Sequence, residues 1–526
     1  MDKHYDFKVF EEEVLGLWER GRYFNRETGK KFSLVMPLPN VTGRLHIGHA
    51  LNNTLQDILV RMKRMDGFEI MWVPGTDHAG IATQHVVDKK LSKEGKNSRA
   101  MTREAFIEEV WKWKAEYGRV IVGQLKNLGC SCNWDKERFT LDEKFCKLVR
   151  GTFVEMYRRD LIYRGKYITN WCCRCRTVLA DEEVEQEDVK GVMYYIRYMF
   201  EGEPEVSGKY IVIATTRPET LFGDSAVGVN PGCADADLKG KRCIVPIVRR
   251  SVPIIMDKLI LPTVGTGMIK ITPSMDKLDY KLAQKHKLDV IEILDKDNAL
   301  LKEWEIYGYS GKIGGMREKI VAALDKLGLL EKIEECDTKE KCCYRCKGGI
   351  EYSVSDQFYV RMGPLGEKIK GTDSKFYPEH QKNIFDSWLN NITDWCISRQ
   401  IVWGHPIPVA YCLDCNHINV SEADLTKCEK CSSVSLRKET DVLDTWFSSW
   451  LWSFGVFDEV DSKKYFPLDV VVTGSDILFF WIIKMMMASV EFKGVMPFKD
   501  IFFAWSDKGQ RWSQNGKDAG QRDRPE

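Results

Sequence analysis

A chain of 526 residues, 44% hydrophobic and 29% charged, has the composition of an ordinary globular protein and is too long for a single core, so several domains are expected. The formal charge of +1 excludes a global basic field that would gather nucleic acid, so any RNA must be held by local patches. The 17 cysteines, with no apolar signal core in the charged start Met1 to Asp6, point to reduced thiols and metal sites in a cytoplasmic protein rather than to a disulfide framework.

Phe7 to Tyr23 carries Phe7, Phe10, Val14, Leu17 and Trp18 at helical spacing, which predicts a packed N-terminal helix. Lys31 to Met36 reads as a short strand, broken by Pro37 to Gly43. A helix is expected from about His46 to Met65, closed by Asp66-Gly67, and a second strand over Phe68 to Val73, ending in Pro74-Gly75-Thr76-Asp77. Strand, helix, strand is a parallel unit, so an α/β sheet is the default. From Val178 to about Lys341 the texture changes to short β-like runs: Met193 to Met199, Tyr210 to Ala214, Cys243 to Val248, Met268 to Ile271 and Val290 to Leu294. This predicts an inserted mixed domain. Asn391 to Pro408 and Val470 to Phe503 return to α/β texture. The most apolar run, Val470 to Val490, holds Asp476 and Lys484, so it reads as a buried strand, turn and helix and not a membrane span.

His46-Ile47-Gly48-His49 sits where a strand turns into a helix. Free amides at a helix start attract phosphate oxygens, and two imidazoles one turn apart can donate to the same triphosphate. Gly48 leaves room for a flat base. A tetrad alone serves equally well as a polar helix start. Asp77, however, lies just past the next strand, at the edge where open parallel sheets bind ligands. A carboxylate there suits an ammonium group; a turn-forming Asp is the alternative.

Here the sequence resembles a family. His46 to His49 is similar to the HIGH signature of class I aminoacyl-tRNA synthetases. Pro39-Asn40-Val41-Thr42-Gly43, Gly75 to Gln84, Ile397 to His405, Asp444 to Ser449 and Val472 to Ile477 resemble the valyl branch of that class. The resemblance runs from Lys3 to Phe503. It implies a Rossmann-like catalytic domain that activates valine with ATP and magnesium and transfers it to tRNA(Val), as a monomer. It also implies His46 and His49 as ATP-phosphate ligands with Gly48 under the adenosine. Asn40 and Asp77 would contact valine and its ammonium, and Trp446, Ile477 and Trp481 would wall the valine pocket. Leu38 stands where the family usually has Pro.

A hydrophobic pocket rejects threonine poorly, and the valyl enzymes are themselves the standard illustration of this limit, at roughly a hundredfold. A second, hydrolytic site is therefore expected. Ala214 to Thr220 supplies hydroxyls and a guanidinium, and Lys270 to Asp276 supplies a cation, a hydroxyl and a carboxylate, although threonine-rich strands are also simply good β formers. The resemblance implies Thr216, Arg217, Thr220, Lys270, Thr272, Asp276 and Asp279 as editing residues. Met275 stands where the family usually has His, and Lys277-Leu278 where it has Pro-Asn. No Ser/His/Asp or Cys/His nucleophile set is present in the sequence, which favours attack by water.

Cys412-x2-Cys415-x12-Cys428-x2-Cys431 has zinc-ribbon spacing. Cys172-x2-Cys175 and Cys343-x2-Cys346 bracket the insertion, so its stems could share one structural zinc, with Cys173 and Cys342 as competing neighbours. Buried free thiols or disulfides are the alternative for both sets. The expected organisation is a helical segment over 1–30, the first catalytic half over 31–177 and the editing insertion over 178–342. The second catalytic half follows over 343–503, with its four-cysteine module at 412–431, and then a tail over 504–526.

That tail is anomalous. The class carries a second signature, KMSKS, whose lysines offset charge on the departing pyrophosphate. The chain reads Asp507 to Gly516 there without it. Read one base out of frame with suitable synonymous codons, Ala504 to Pro525 becomes HGLIRDKDGHKMAKTRGNVIDP, which contains the KMSKS-like KMAKT. The expectation is a frameshift near codon 504, an absent anticodon-binding domain and impaired valine activation, with an inactive fragment that only binds tRNA or edits as the alternative.

Overall fold

A computed structural model describes residues 7–25, 28–204, 208–233, 238–262 and 266–504, the side chains of 7–9 aside. The readings of the first six residues and of the tail beyond Ala504 lie outside the described residues. The chain divides into two compact units, Met1–Tyr163 with Phe358–Glu526, and Arg164–Gln357. The second unit is wider than the expected insertion at 178–342 because it takes in both stems.

The first unit is built on a five-stranded parallel sheet in the order Lys375–Tyr377, Phe498–Ala504, Leu468–Gly474, Lys31–Val35, Glu69–Val73. Its central strands are near-continuous apolar runs because both faces are covered. Alternate residues feed opposite cores. Val35, Met71, Val73 and Val471 join the cluster that holds the tryptophans of 446–481, while Leu34, Ile70, Trp72, Val470 and Val472 join the cluster under Val60, Val87 and Phe106. Strand order reverses between Lys31–Val35 and Leu468–Gly474, so the loops leaving their carboxyl ends, 36–46 and 475–477, flank the crevice where such sheets bind ligands.

The helix Ile47–Met65 is the expected crossover. The apolar run also folds as expected, through the strand Leu468–Gly474, a 3-10 turn Ser475–Ile477, a π-helical turn Leu478–Ile483 and the helix Lys484–Lys493. Lys484 is buried, its ammonium 3.7 Å from the centroid of Trp395. The helix Phe7–Gly21 forms and meets the helix Arg103–Asn127, with Trp18 edge-on to Phe24, while Phe10, Val14 and Leu17 stay 47%, 37% and 49% exposed. Helical spacing defines a face without saying what covers it. Among the described residues no helix is long and apolar enough to cross a membrane.

The second unit carries a mixed sheet whose spine is the antiparallel ladder Val184–Phe200 with Leu330–Cys343, in register from Val184 opposite Cys343 to Tyr195 opposite Lys332, with a shift before Ile196 meets Leu330. The strands Tyr210–Thr215, Arg242–Ile244, Ser251–Met256, Ala226–Val229 and Met268–Ile271 extend it. Two expected strands fall short. Cys243–Val248 keeps only Arg242–Ile244 and then doubles back, with Ile247 and Arg249 at φ 66° and 56°. Val290–Leu294 makes a single bridge, Leu294 to Leu300, although Ile293 is buried. Its apolar residues fill the core without a sheet edge to join.

Candidate functional site

In the first unit, the loop after Lys31–Val35 and the loop after Glu69–Val73 are tied together. The Asp77 amide donates to the Pro39 carbonyl at 2.9 Å and the Val41 amide to the Asp77 carbonyl at 3.1 Å. This sets Asn40 and Asp77 side by side as a parallel bridge. Asp77 is 4% exposed, and its Oδ1 accepts the Ala79 amide at 2.7 Å, so it also shapes the turn into the helix Gly80–Lys93. Burial pushes its pKa up to about 7, with the Asp444 carboxylate adding to the rise and the Ala79 amide opposing it. Gly75 is required by close approach: a Cβ would lie 2.5 Å from the Trp452 ring and 2.7 Å from the Arg138 carbonyl.

His46 caps the helix Ile47–Met65. Its Nδ1 accepts the Gly48 amide at 3.1 Å, and its own amide donates to His49 Nδ1 at 3.3 Å, a reciprocal capping box. The two rings lie 4.0 Å apart. With both Nδ1 atoms accepting, the protons sit on the Nε2 atoms, which makes these the donor atoms. A Cβ on Gly48 would stand 3.0 Å from the His46 ring, so this glycine preserves the cap.

Trp446, Ile477 and Trp481 belong to one core. Trp481 is buried in the main core cluster, and Trp446, Ile477 and Leu38 pack against it. The Trp446 and Phe480 rings are 5.3 Å apart, and Trp481 Nε1 donates to the Ser449 carbonyl at 3.1 Å. The group that orients Trp446 had no role in the reading of the motifs. Asp444 Oδ1 accepts the Trp446 amide at 2.9 Å, and its Oδ2 accepts Trp395 Nε1 at 3.1 Å and the buried Arg399 guanidinium.

In the second unit, Thr220, Lys270, Thr272 and Asp279 form one buried polar cluster. The Lys270 ammonium donates to Thr220 Oγ1 at 2.6 Å, to Asp224 Oδ1 at 3.0 Å and to Thr272 Oγ1. Asp279 Oδ2 accepts the Thr272 amide at 2.8 Å, and burial, with Asp276 nearby, pushes its pKa up to about 7. Asp276 is exposed and caps the helix Lys277–His286 through Oδ1, to the amides of Leu278 and Asp279. Thr216 is half-buried beside Arg217, whose guanidinium forks onto Glu351 at 2.7 and 2.8 Å. Met275 packs into the core. Asp224, Glu219 and Glu351 complete this constellation; Glu219 lies within the run Ala214 to Thr220 without a role read from it, and no motif pointed to Asp224 or Glu351.

Both cysteine sets come together. Cys172, Cys175, Cys343 and Cys346 form one group, and Cys412, Cys415, Cys428 and Cys431 another, each with sulfurs within 4.8 Å of one another. The closest pairs are 3.5 and 4.0 Å apart in the first group and 3.5 and 3.7 Å in the second. These match the edge of about 3.8 Å of a tetrahedron with zinc–sulfur bonds of about 2.3 Å. The Cys175 and Gly348 amides point at sulfurs of the first group, as they do toward thiolates. The residues therefore fit two structural zinc ions, and all the described cysteines are free thiols. Cys342 does not compete: its sulfur lies 3.7 Å from Glu187 in a separate group with Glu185, and Cys173 is in neither set. Metal analysis of the purified chain is expected to give two zinc ions, and one in Cys428→Ser. Two ions retained in that variant would count against the second site.

The family model described as "tRNA synthetases class I (I, L, M and V)" matches residues 13–520. The valine–tRNA ligase of Thermotoga maritima is 49% identical over 503 residues, which cover 92% of this chain and 57% of that protein. That of Treponema denticola is 46% identical over 522 residues, covering 95% and 57%. The chain thus spans little more than half the length of these curated relatives. The solved ternary complex of Agrobacterium radiobacter LeuRS, tRNA and LeuAMS has a TM-score of 0.53 at 17% identity, covering 98% of this chain and 70% of that one, a likeness of fold. The chain therefore belongs to the class I tRNA synthetases of the I, L, M and V group, and its similarity there is to the valine–tRNA ligases.

Proposed function

We propose that the first unit activates valine with ATP and transfers it to tRNA(Val) as a monomer, and that the second unit hydrolyses threonyl-tRNA(Val). The observation that carries the reading is the pairing of Asn40 with Asp77 beside the His46–His49 cap, at the carboxyl edge where the strand order reverses. In this reading Asp77 holds the substrate ammonium, and the apolar wall of Trp446, Ile477 and Trp481 takes the side chain. His46 and His49 donate to the ATP phosphates, with magnesium arriving as part of the nucleotide. The valine carboxylate then attacks the α-phosphorus and pyrophosphate leaves. The chemistry is positioning and charge stabilisation, without a covalent enzyme intermediate.

In the second unit, Arg217 and Thr216 would hold the terminal nucleotide and Asp276 and Asp279 the misattached ammonium. Water adds its oxygen to the acyl carbon, the ester C–O bond breaks, and the proton goes to the ribose oxygen, giving threonine and free tRNA. Zinc, held by the two cysteine sets, is structural.

Valine-dependent pyrophosphate exchange tests the activation step. Exchange is expected with valine and about a hundredfold weaker with threonine. Preference for isoleucine or leucine would overturn the valine assignment. Threonyl-tRNA deacylation without any exchange would favour the second reading, an editing or tRNA-binding fragment.

A further inference from the structure

We infer that Asp224 is the positioning residue of the hydrolytic site in the second unit, acting through Lys270 and Thr272; this rests on the hydrolytic reading above. Asp224 is fully buried and uses both carboxylate oxygens. Its Oδ1 accepts the Lys270 ammonium at 3.0 Å and the Thr272 hydroxyl at 2.6 Å. Its Oδ2 accepts the hydroxyl of Tyr198, itself fully buried, at 2.6 Å. The Asp224 backbone is pinned as well, its carbonyl accepting the Arg250 guanidinium at 2.7 Å.

These contacts use up the Lys270 ammonium. Its three protons go to Thr220, Asp224 and Thr272. The Thr220 hydroxyl is spent on the Arg217 carbonyl at 2.9 Å, and the Thr272 hydroxyl on Asp224. Lys270 is therefore a framework cation and not a donor aimed at substrate. Its charge is balanced by Asp224, since a buried ammonium without an anion would be neutral. Thr272 is gripped from both sides, its hydroxyl by Asp224 and its amide by Asp279 Oδ2 at 2.8 Å. Whatever fixes Thr272 thus fixes Asp279, the carboxylate read as the ammonium receptor. Arg217 is tied to the same unit through the Thr220 hydroxyl on its carbonyl. Asp224 sits at the node where both lines meet.

The test is Asp224→Asn in the full chain, assayed on threonyl-tRNA(Val), with rates normalised to folded protein by thermal melting. A displaced Asp279 predicts a kcat for deacylation lower by about tenfold or more, with KM within about twofold, because the tRNA body supplies most of the substrate's affinity and the contact of Asp279 with the ammonium orients the ester for attack by water. Acetylation by acetic anhydride, read by mass spectrometry, is expected to spare Lys270 in the parent and to label it in the variant, with exposed Lys258 as the reference. A kcat within twofold of the parent, or equal labelling of Lys270 in both proteins, overturns the inference. If the parent does not deacylate threonyl-tRNA at all, the hydrolytic reading fails, while the labelling still decides whether Asp224 holds Lys270. If Asp224→Asn does not fold, Tyr198→Phe keeps the charge and removes one hydrogen bond. It should lower kcat by about threefold, the loss of a fraction of one bond's worth of positioning, and an unchanged rate there overturns the proposal.

Discussion

Alanine in place of Asp444 should lower the stability of the first unit by about 3–5 kcal/mol, the usual cost of leaving a buried cation without its anion. Arg399 and Asp444 are 1% and 3% exposed at their side chains, so water cannot take over the lost contacts. The same substitution orphans Trp395 Nε1 and frees the Trp446 amide, which starts the short helix Trp446–Ser449. Stability and the valine pocket should therefore fail together. Urea unfolding of Asp444→Ala against the parent reads the first effect, and the KM for valine in pyrophosphate exchange reads the second. Asp444→Asn keeps an acceptor and should recover a substantial part of the stability. A loss below about 1 kcal/mol in the alanine variant would place this pair among the hydrated ion pairs of a surface, against the burial described here.

Asp77→Asn is expected to raise the KM for valine by at least about a hundredfold, roughly 2.7 kcal/mol, as expected for removing one partner of a desolvated charge pair. The parent should also show a pH dependence with a definite sign. Its carboxyl has a pKa of about 7, raised chiefly by burial. Below that value the group is neutral and cannot attract an ammonium, so KM should rise as pH falls through 7 and level off above it. The asparagine variant should show no such step. A KM that is flat from pH 5.5 to 8 in the parent would mean that the ammonium is held elsewhere.

Much of this organisation was legible in the sequence because it is carried by local rules. The strand, helix and strand at 31–73 follow from apolar runs broken by Pro37 and Gly67, and both cysteine sets follow from ligand spacing. The positions of His46 and Asp77 at the strand ends follow from that pattern, whereas Asn40 entered only through the resemblance to the family. The unread parts are set by distant partners. Asp224 and Glu351 belong to no motif and Glu219 sits silently inside one, and the roles of all three depend on Lys270, Arg217 and Arg317 meeting them across the fold. Asp276 was read as a receptor, and the structure also makes it a helix cap. Val290–Leu294 has the composition of a strand but no edge to pair with, and the stripe of Phe10, Val14 and Leu17 has helical period yet stays more than a third exposed. Periodicity reports which side chains share a face; it carries no information about the neighbour.

The division of the chain has a consequence for the order in which the two units can be completed during synthesis. Arg164–Gln357 is contiguous, so every strand of its sheet has left the ribosome before the second half of the other unit is made. The parallel sheet of the first unit is in the opposite position. Its strand Lys31–Val35 finds Glu69–Val73 early, but its other neighbour, Leu468–Gly474, arrives only after the whole insertion has been translated. Until then that strand presents a bare edge of the kind that recruits foreign strands. A nascent chain paused between the two halves should thus hold a finished insertion on an unfinished host, and the interval of greatest exposure to chaperones and to misassembly ends when Leu468–Gly474 emerges.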